Sequence, residues 1–341
     1  MYISRIDVFN MSRLISIPFH HSSQHPFLFS CTASSPFSNS TIMSFPIPKG
    51  VSTYHTSPYP SIDVARPELS TAGKVILITG GGTGIGLATA QHFAKAGCTT
   101  IAITGRRSKV LAKAQKLIQD EYPATKVLTL ASDVMDREGM VEAFKRTSET
   151  FASKVDVLIN NAGYLPSYKS QGSAEKDSDE WWKAFTTNVR GAHNVLNAFL
   201  PVAAQDATVI NVSSGAMNAT LAGQSAYIAS KTAAARVFEC FQAENPGFRV
   251  VNLAPGIVLT DMHQKSVDHF DEIGAEQAPL DDVELPASYM VWACSPEAVF
   301  IKGKFVWVHW DVNELKRVLE TTEDKQLLTL SINGMANWGL L

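Results

Sequence analysis

A chain of 341 residues, 45% hydrophobic and 18% charged, carries enough apolar side chain to bury a sizeable core, as expected of a soluble globular protein with one main domain and a tail. Its formal net charge of -3, with no clustered stripe of Lys and Arg, argues against nucleic acid as a partner. No run of 18 apolar residues supports a transmembrane helix or a membrane partner, and the four scattered cysteines (Cys31, Cys98, Cys240, Cys294) fit isolated thiols in a reducing, cytoplasmic compartment.

Residues 1–66 are dominated by Ser, Pro, Phe and His, and Asp7 and Asp63 are their only acids. The absence of hydrophobic periodicity predicts a disordered N-terminal extension. Two alternatives stay open: a mitochondrial transit segment, against which Pro18, Pro26 and the few arginines argue, or an over-extended start for which Met43 is the replacement. A single domain is expected from about residue 70 to residue 341.

From residue 74 onward, β-branched apolar runs alternate with stretches of helical spacing. The runs are KVILIT (74–79), TTIAIT (99–104), KVLTL (126–130), VDVLIN (155–160), ATVINVS (207–213), FRVVNLA (248–254) and KFVWV (304–308). Runs apolar on both faces and joined by crossover helices describe a doubly wound α/β fold, Rossmann-like, with a parallel seven-stranded sheet covered by helices on both faces.

The first run leads straight into TGGGTGIG (79–86) and then into a helical stretch that ends at Gly97. Glycines at a strand-to-helix turn let backbone approach a pyrophosphate, while the helix N-terminus supplies amide donors and a favourable dipole. The spacing Gly80, Gly84, Gly86 departs from G-x-G-x-x-G, because Ile85 stands where its last glycine would fall. At the end of the second run an acidic residue would bind a ribose 2′-hydroxyl, yet no acid lies between Glu68 and Asp120. Arg106 and Arg107 stand there instead and favour a 2′-phosphate, hence NADP(H) over NAD(H); the alternative is that they only cap a solvated helix start.

In YIASK, Tyr227 and Lys231 are four residues apart and share a helix face. An ammonium beside a phenol would favour the phenolate, making Tyr227 a general acid/base. Tyr122 and Lys126 repeat the spacing, but Pro123 interrupts them and predicts a loop.

With these motifs on the page, residues 73–310 resemble the short-chain dehydrogenase/reductase family, in its single-domain branch. The resemblance assigns Thr79, Gly80, Gly84, Ile85 and Gly86 to the nucleotide, with Asn160 and Asn161 of the NNAG sequence beside it. It selects Ser214, thirteen residues before Tyr227, as the active serine, and Asn188 of TNVRG completes a catalytic tetrad with Tyr227 and Lys231. Lys231 would also bind the nicotinamide ribose, Asp133 would contact the adenine or else cap a helix, and Val258 and Thr260 would hold the carboxamide. The resemblance further implies a homodimer or homotetramer and a small-molecule carbonyl or alcohol substrate.

His263 and His269, in the region covering the substrate, have no metal-ligand spacing and are expected to be solvated loop residues, with no metal bound. Trp181, Trp182 and Phe185 open a helix whose rings serve core or subunit packing. The pocket walls, residues 164–179 and 262–282, are expected to be irregular. The run GKFVWVHWDVNEL (303–315) is similar to enzymes of filamentous fungi, some of which tailor secondary metabolites. Three functional readings follow: an NADP(H)-dependent oxidoreductase, an NAD-dependent alcohol dehydrogenase, or a non-catalytic NADP-binding regulatory protein, of which the last has no need of the tetrad.

Overall fold

The computed structural model describes residues 47–169, 178–272, 274 and 277–331. Seven strands, β1 (Val75–Thr79), β2 (Thr100–Gly105), β3 (Lys126–Ala131), β4 (Val155–Asn160), β5 (Ala203–Val212), β6 (Arg249–Ala254) and β7 (Phe305–Trp307), form one parallel sheet in the order β3-β2-β1-β4-β5-β6-β7. Each of the seven apolar runs supplies one of them.

Side chains alternate along these strands into two separate cores. Ile76, Ile78, Ile101, Ile103, Val157 and Ile159 enter one, whereas Val75, Leu77, Ala102, Val155 and Leu158 enter the other. Both faces are apolar because both are covered, which is why period-2 polarity is missing from the sequence.

On the first face lie α1 (Gly84–Lys95), α2 (Ser108–Glu121) and α8 (Glu284–Ala293); on the second lie α3 (Arg137–Phe151), α5 (Gly191–Phe199) and α6 (Ser225–Glu244). Before α5, α4 (Ser178–Phe185) runs into a π-helical stretch, Thr186–Arg190. The wider turn re-aims one side chain, and π-turns recur at functional positions for that reason. Asn188 sits inside it.

Chain order reverses beside β1, since β2 and β3 flank it on one side and β4 to β7 extend from the other. The carboxyl ends of β1 and β4 therefore open a crevice at the topological switch point, where ligands bind in such sheets.

The expectation of disorder up to residue 66 is corrected for residues 47–66; residues 1–46 lie outside the described residues. Val51, Tyr59, Ile62 and Val64 are buried in the first core. Polar tethers hold the rest of this strap to α9 (Val312–Thr321): the Glu314 carboxylate accepts from the backbone amides of Ser52 at 2.6 Å and Thr53 at 3.0 Å, which pulls it down to about 2. Arg66 donates to Glu297 at 2.6 Å. Composition concealed the strap because its anchors are backbone and hydroxyl donors to partners more than two hundred residues away.

The region 262–282 is corrected as well: α7 spans Asp261–Glu272. His263 and His269 are helical, and His269 stacks on Tyr168 with centroids 4.4 Å apart. Of the other expected wall, residues 170–177 lie outside the described residues. Tyr122 caps the end of α2 and Lys126 begins β3, so that pair shares no helix.

Candidate active site

Tyr227 and Lys231 lie on the first two turns of α6, where i,i+4 spacing places both toward the end of β5. Lys231 Nζ donates to the carbonyl of Val212, the last residue of β5, at 2.9 Å and stands 5.9 Å from the Tyr227 ring centroid. Two residues past β5, Ser214 hydrogen-bonds the Tyr227 phenol, and its Oγ also accepts from the Ala216 amide at 3.2 Å. Its neighbour Ser213 is buried and points its hydroxyl at Met217 Sδ, 2.9 Å away, so only Ser214 faces the phenol.

Asn188 is committed to positioning. Its amide pairs with the backbone of Tyr164 in both directions, at 2.8 and 2.9 Å, and Nδ2 also donates to Ser230 Oγ on α6 at 3.0 Å. A Cβ on Gly163 would stand 3.3 Å from Lys231 Nζ and 3.4 Å from Asn188 Oδ1. The turn after β4, the π-stretch and α6 thus meet at one point.

The phenolate expectation is corrected by burial. Desolvation pushes the Tyr227 phenol up to about 12, opposed only in part by the Ser214 hydrogen bond, and the nearby Tyr168 raises it further. Burial also pushes Lys231 down to about 8. At neutral pH Tyr227 is a protonated donor and Lys231 a desolvated cation.

That cation has a thermodynamic consequence. Below pH 8 the folded chain carries a buried ammonium at a cost, which is relieved as pH rises from about 8 to the ordinary lysine value of 10.5. Lys231→Met is expected to stabilise the fold at pH 7 by up to about 3 kcal/mol, and to abolish that rise in stability with pH, as read from urea midpoints. A melt unchanged at pH 7 would show that the ammonium is not strained.

The cradle at β1 fits a dinucleotide. Gly80 and Gly84 have φ of +67° and +53°, and Thr83 caps α1 with no side-chain hydrogen bond, leaving the first amides of the helix to face an anion. Lys231 has a single hydrogen-bond partner among the described residues, so two of its donors can reach a ribose. At the end of β2, Arg106 and Arg107 are exposed; Arg106 has no side-chain partner among the described residues, and Arg107 only reaches Asp261 at 4.0 Å. Ile85 is partly buried against the first core. Thr260 caps α7, accepting from the His263 amide at 3.1 Å, and its methyl lies 2.9 Å from where a Gly84 Cβ would sit. Val258 is buried and bridges to Asp281.

Three residues assigned to the nucleotide have their side chains bonded within the protein. Thr79 is fully buried, and its hydroxyl accepts from the amides of Asn161 and Ala162, each at 3.1 Å. Asn160 is buried in an amide ladder across the sheet, donating to Asn211 at 2.9 Å, which donates to Asn252 at 2.8 Å. Asn161 Nδ2 ties itself to the carbonyls of Thr79 and Gly80, at 3.0 and 3.2 Å. The Thr79 and Asn161 side chains brace the turn, and Asn160 ties β4 to β5. Asp133 folds back on the Met135 amide at 3.0 Å, while the cap of α3 falls to Asp136.

Sequence reasoning missed Tyr168, which donates to Ser266 of α7 at 2.8 Å and lies near enough to Tyr227 to raise its phenol. Trp181 Nε1 donates to Ser225 Oγ at 3.0 Å, and Trp182 stays 56% exposed on α4. Among the described residues no cluster of three His, Cys, Asp or Glu could hold a metal ion.

The family model for short chain dehydrogenases matches residues 74–270. The chain is 31% identical over 296 residues to the short chain dehydrogenase/reductase nsrO of Aspergillus novofumigatus, covering 84% of this chain and 97% of that protein. It is 30% identical over 284 residues to AacuD of Aspergillus aculeatus, covering 82% and 95%. Among solved structures, levodione reductase superposes with a TM-score of 0.64 at 24% identity, covering 70% of this chain and 96% of that one, a likeness that bears on the fold alone.

Proposed function

The chain belongs to the short-chain dehydrogenase family, and on that premise we propose that it is an NADP(H)-dependent oxidoreductase acting on a small, fairly apolar carbonyl or secondary alcohol. The observation that carries this reading is the meeting of Ser214, Tyr227 and Lys231 at the switch-point crevice, with a guanidinium pair at the end of β2.

The nicotinamide supplies or accepts the hydride. The turn from Gly80 to Gly86 and the first amides of α1 hold the pyrophosphate, Arg106 and Arg107 take the 2′-phosphate, and Lys231 holds the ribose. In reduction, Ser214 donates a hydrogen bond to the carbonyl oxygen while Tyr227 delivers its phenolic proton to that oxygen as negative charge develops there. The Lys231 ammonium stabilises the phenolate left behind. A phenol at about 12 is protonated at neutral pH, the form that carbonyl reduction requires, whereas oxidation must start from its scarce phenolate. Because Lys231 loses its proton near pH 8, the rate of carbonyl reduction is expected to fall as pH rises through about 8, and a flat profile to pH 10 would remove its charge from the mechanism.

The rings of His269 and Phe270, packed on Tyr168 near Tyr227, support an apolar substrate, and the Aspergillus and Monascus relatives support a place in fungal secondary metabolism. Exposed Trp182 supports assembly of two or four copies through α4.

The experiment is binding of NADPH and NADH, followed by nucleotide fluorescence, to the full chain and to the double variant Arg106→Ala, Arg107→Ala. NADPH affinity is expected to fall by about 30-fold, roughly 2 kcal/mol, with NADH within about 2-fold of the parent. Equal loss for both nucleotides sinks the 2′-phosphate assignment and leaves the NAD-dependent reading.

A further inference from the structure

Beneath the turn that follows β6 lies a hydrogen-bonded side-chain pair that the reaction does not use. His309, two residues past β7, is fully buried, and its Nε2 stands 2.8 Å from Asp281 Oδ2. The same Asp281 oxygen accepts from the Ile257 amide at 2.7 Å, and the Asp281 amide donates back to the Ile257 carbonyl at 2.8 Å. Side chain and backbone of Asp281 thus clamp the N–H and the C=O of the single residue Ile257. Gly256 has φ of +83°, and a Cβ there would fall 2.5 Å from Asp281 Oδ2 and 3.0 Å from His309 Nε2, so the pair fills the space under the turn.

The pair is closed from outside by the N-terminal strap. The Tyr54 ring stacks on His309 with centroids 4.4 Å apart and planes 9° from parallel, and burial beside Asp281 raises its phenol. The strap is registered there by its backbone: the His55 amide donates to the His309 carbonyl at 2.8 Å, and Tyr54 bridges to Trp310. On the inner side Trp307 of β7 abuts Gly215, where a Cβ would be 2.4 Å from the indole, so the same segment also backs the turn carrying Ser214.

We infer that Asp281 and His309 are a positioning pair that fixes the turn at Gly256 and Ile257 against the nicotinamide end of the cofactor, with Tyr54 as its outer wall. The inference rests on the cofactor reading above. It gives the strap a role in activity: a residue more than a hundred positions before the tetrad helps set the height of the loop that leads into Val258 and Thr260. A buried carboxylate that loses one of two donors no longer holds its remaining partner in a single geometry.

The test separates the two ends of the nucleotide. NADPH and adenosine 2′,5′-bisphosphate, which lacks the nicotinamide, are titrated against the full chain, His309→Phe, His309→Gln and Tyr54→Ala. Phenylalanine keeps the stack and removes the donor; its NADPH affinity is expected to fall by about 10-fold, about 1.4 kcal/mol, with the bisphosphate within about 2-fold. Glutamine restores a donor and should recover most of the loss, whereas Tyr54→Ala should lose about 3-fold. Amide exchange at Ile257 should quicken in His309→Phe. Equal weakening of both ligands, or NADPH affinity unchanged in His309→Phe, overturns the positioning role. If the parent chain binds neither ligand while Ile257 exchange still quickens, the cofactor reading fails and takes the nicotinamide half of this inference with it, leaving only a structural clamp.

Discussion

Replacing Tyr227 with phenylalanine is expected to lower turnover by about 10³-fold while leaving NADPH affinity within about 2-fold of the parent. The substitution removes one oxygen and keeps the ring, so the packing of α6 against β5 survives and only the proton is lost. Desolvation that holds the phenol near 12 keeps this proton in place at neutral pH, and no other side chain on α6 carries a donor to the same point. Ser214 keeps its bond from the Ala216 amide and can still orient the substrate oxygen, so KM should move little. Single-turnover oxidation of bound NADPH by a carbonyl panel reads the chemical step directly. Turnover within about 10-fold of the parent would take Tyr227 out of the reaction and turn attention to Tyr168, whose phenol is close enough to act on it.

What could be read from the sequence is what depends on near neighbours. The strand runs were legible because a strand covered on both faces is apolar at every position, and Ile76 and Leu77 enter different cores without leaving a polar gap. Tyr227 and Lys231 were legible because one helix turn fixes their relation before any tertiary contact forms. The charge state of the pair was not legible. Spacing says how near the ammonium can come, but the observed 5.9 Å offset, the turn of Nζ to the Val212 carbonyl and the desolvation of both groups are tertiary facts, and desolvation outweighs attraction here.

The same limit explains Thr79 and Asn160, which sit in the right motif with side chains spent on neighbouring strands. It also explains the strap, where a Ser- and Pro-rich composition concealed Tyr59 and Ile62, buried against residues near the other end of the chain. Asp281 and His309 carried no signal at all, because 28 residues of unrelated sequence separate two halves of one contact.

Gly86→Ala is the second substitution with a large expected effect, and its reason is space rather than backbone conformation. The φ of Gly86 is not positive, so an L-residue could adopt its backbone. A Cβ there, however, would lie 2.4 Å from the Gly80 carbonyl oxygen and 2.6 Å from Asn161 Nδ2. Neither neighbour can yield cheaply: Gly80 is held at φ of +67°, and Asn161 Nδ2 is the donor that ties β4 to the carbonyls of Thr79 and Gly80. The methyl must therefore push α1 away from the turn or break the brace. Overpacking of this kind costs about 1–3 kcal/mol of stability, and because the displaced amides are those that face the pyrophosphate, NADPH affinity should fall by about 100-fold, roughly 2.7 kcal/mol. Both losses should appear together, in a denaturant melt and a binding titration. Loss of stability with affinity intact would mean that the nucleotide does not sit on this turn. Gly84→Ala meets mainly the Thr260 methyl, the end of a side chain with some freedom to move, so its loss should come from the strain of its φ of +53°. The ranking of the two variants, with Gly86 the costlier, separates close approach of backbone to backbone from conformational freedom as the reason for each glycine.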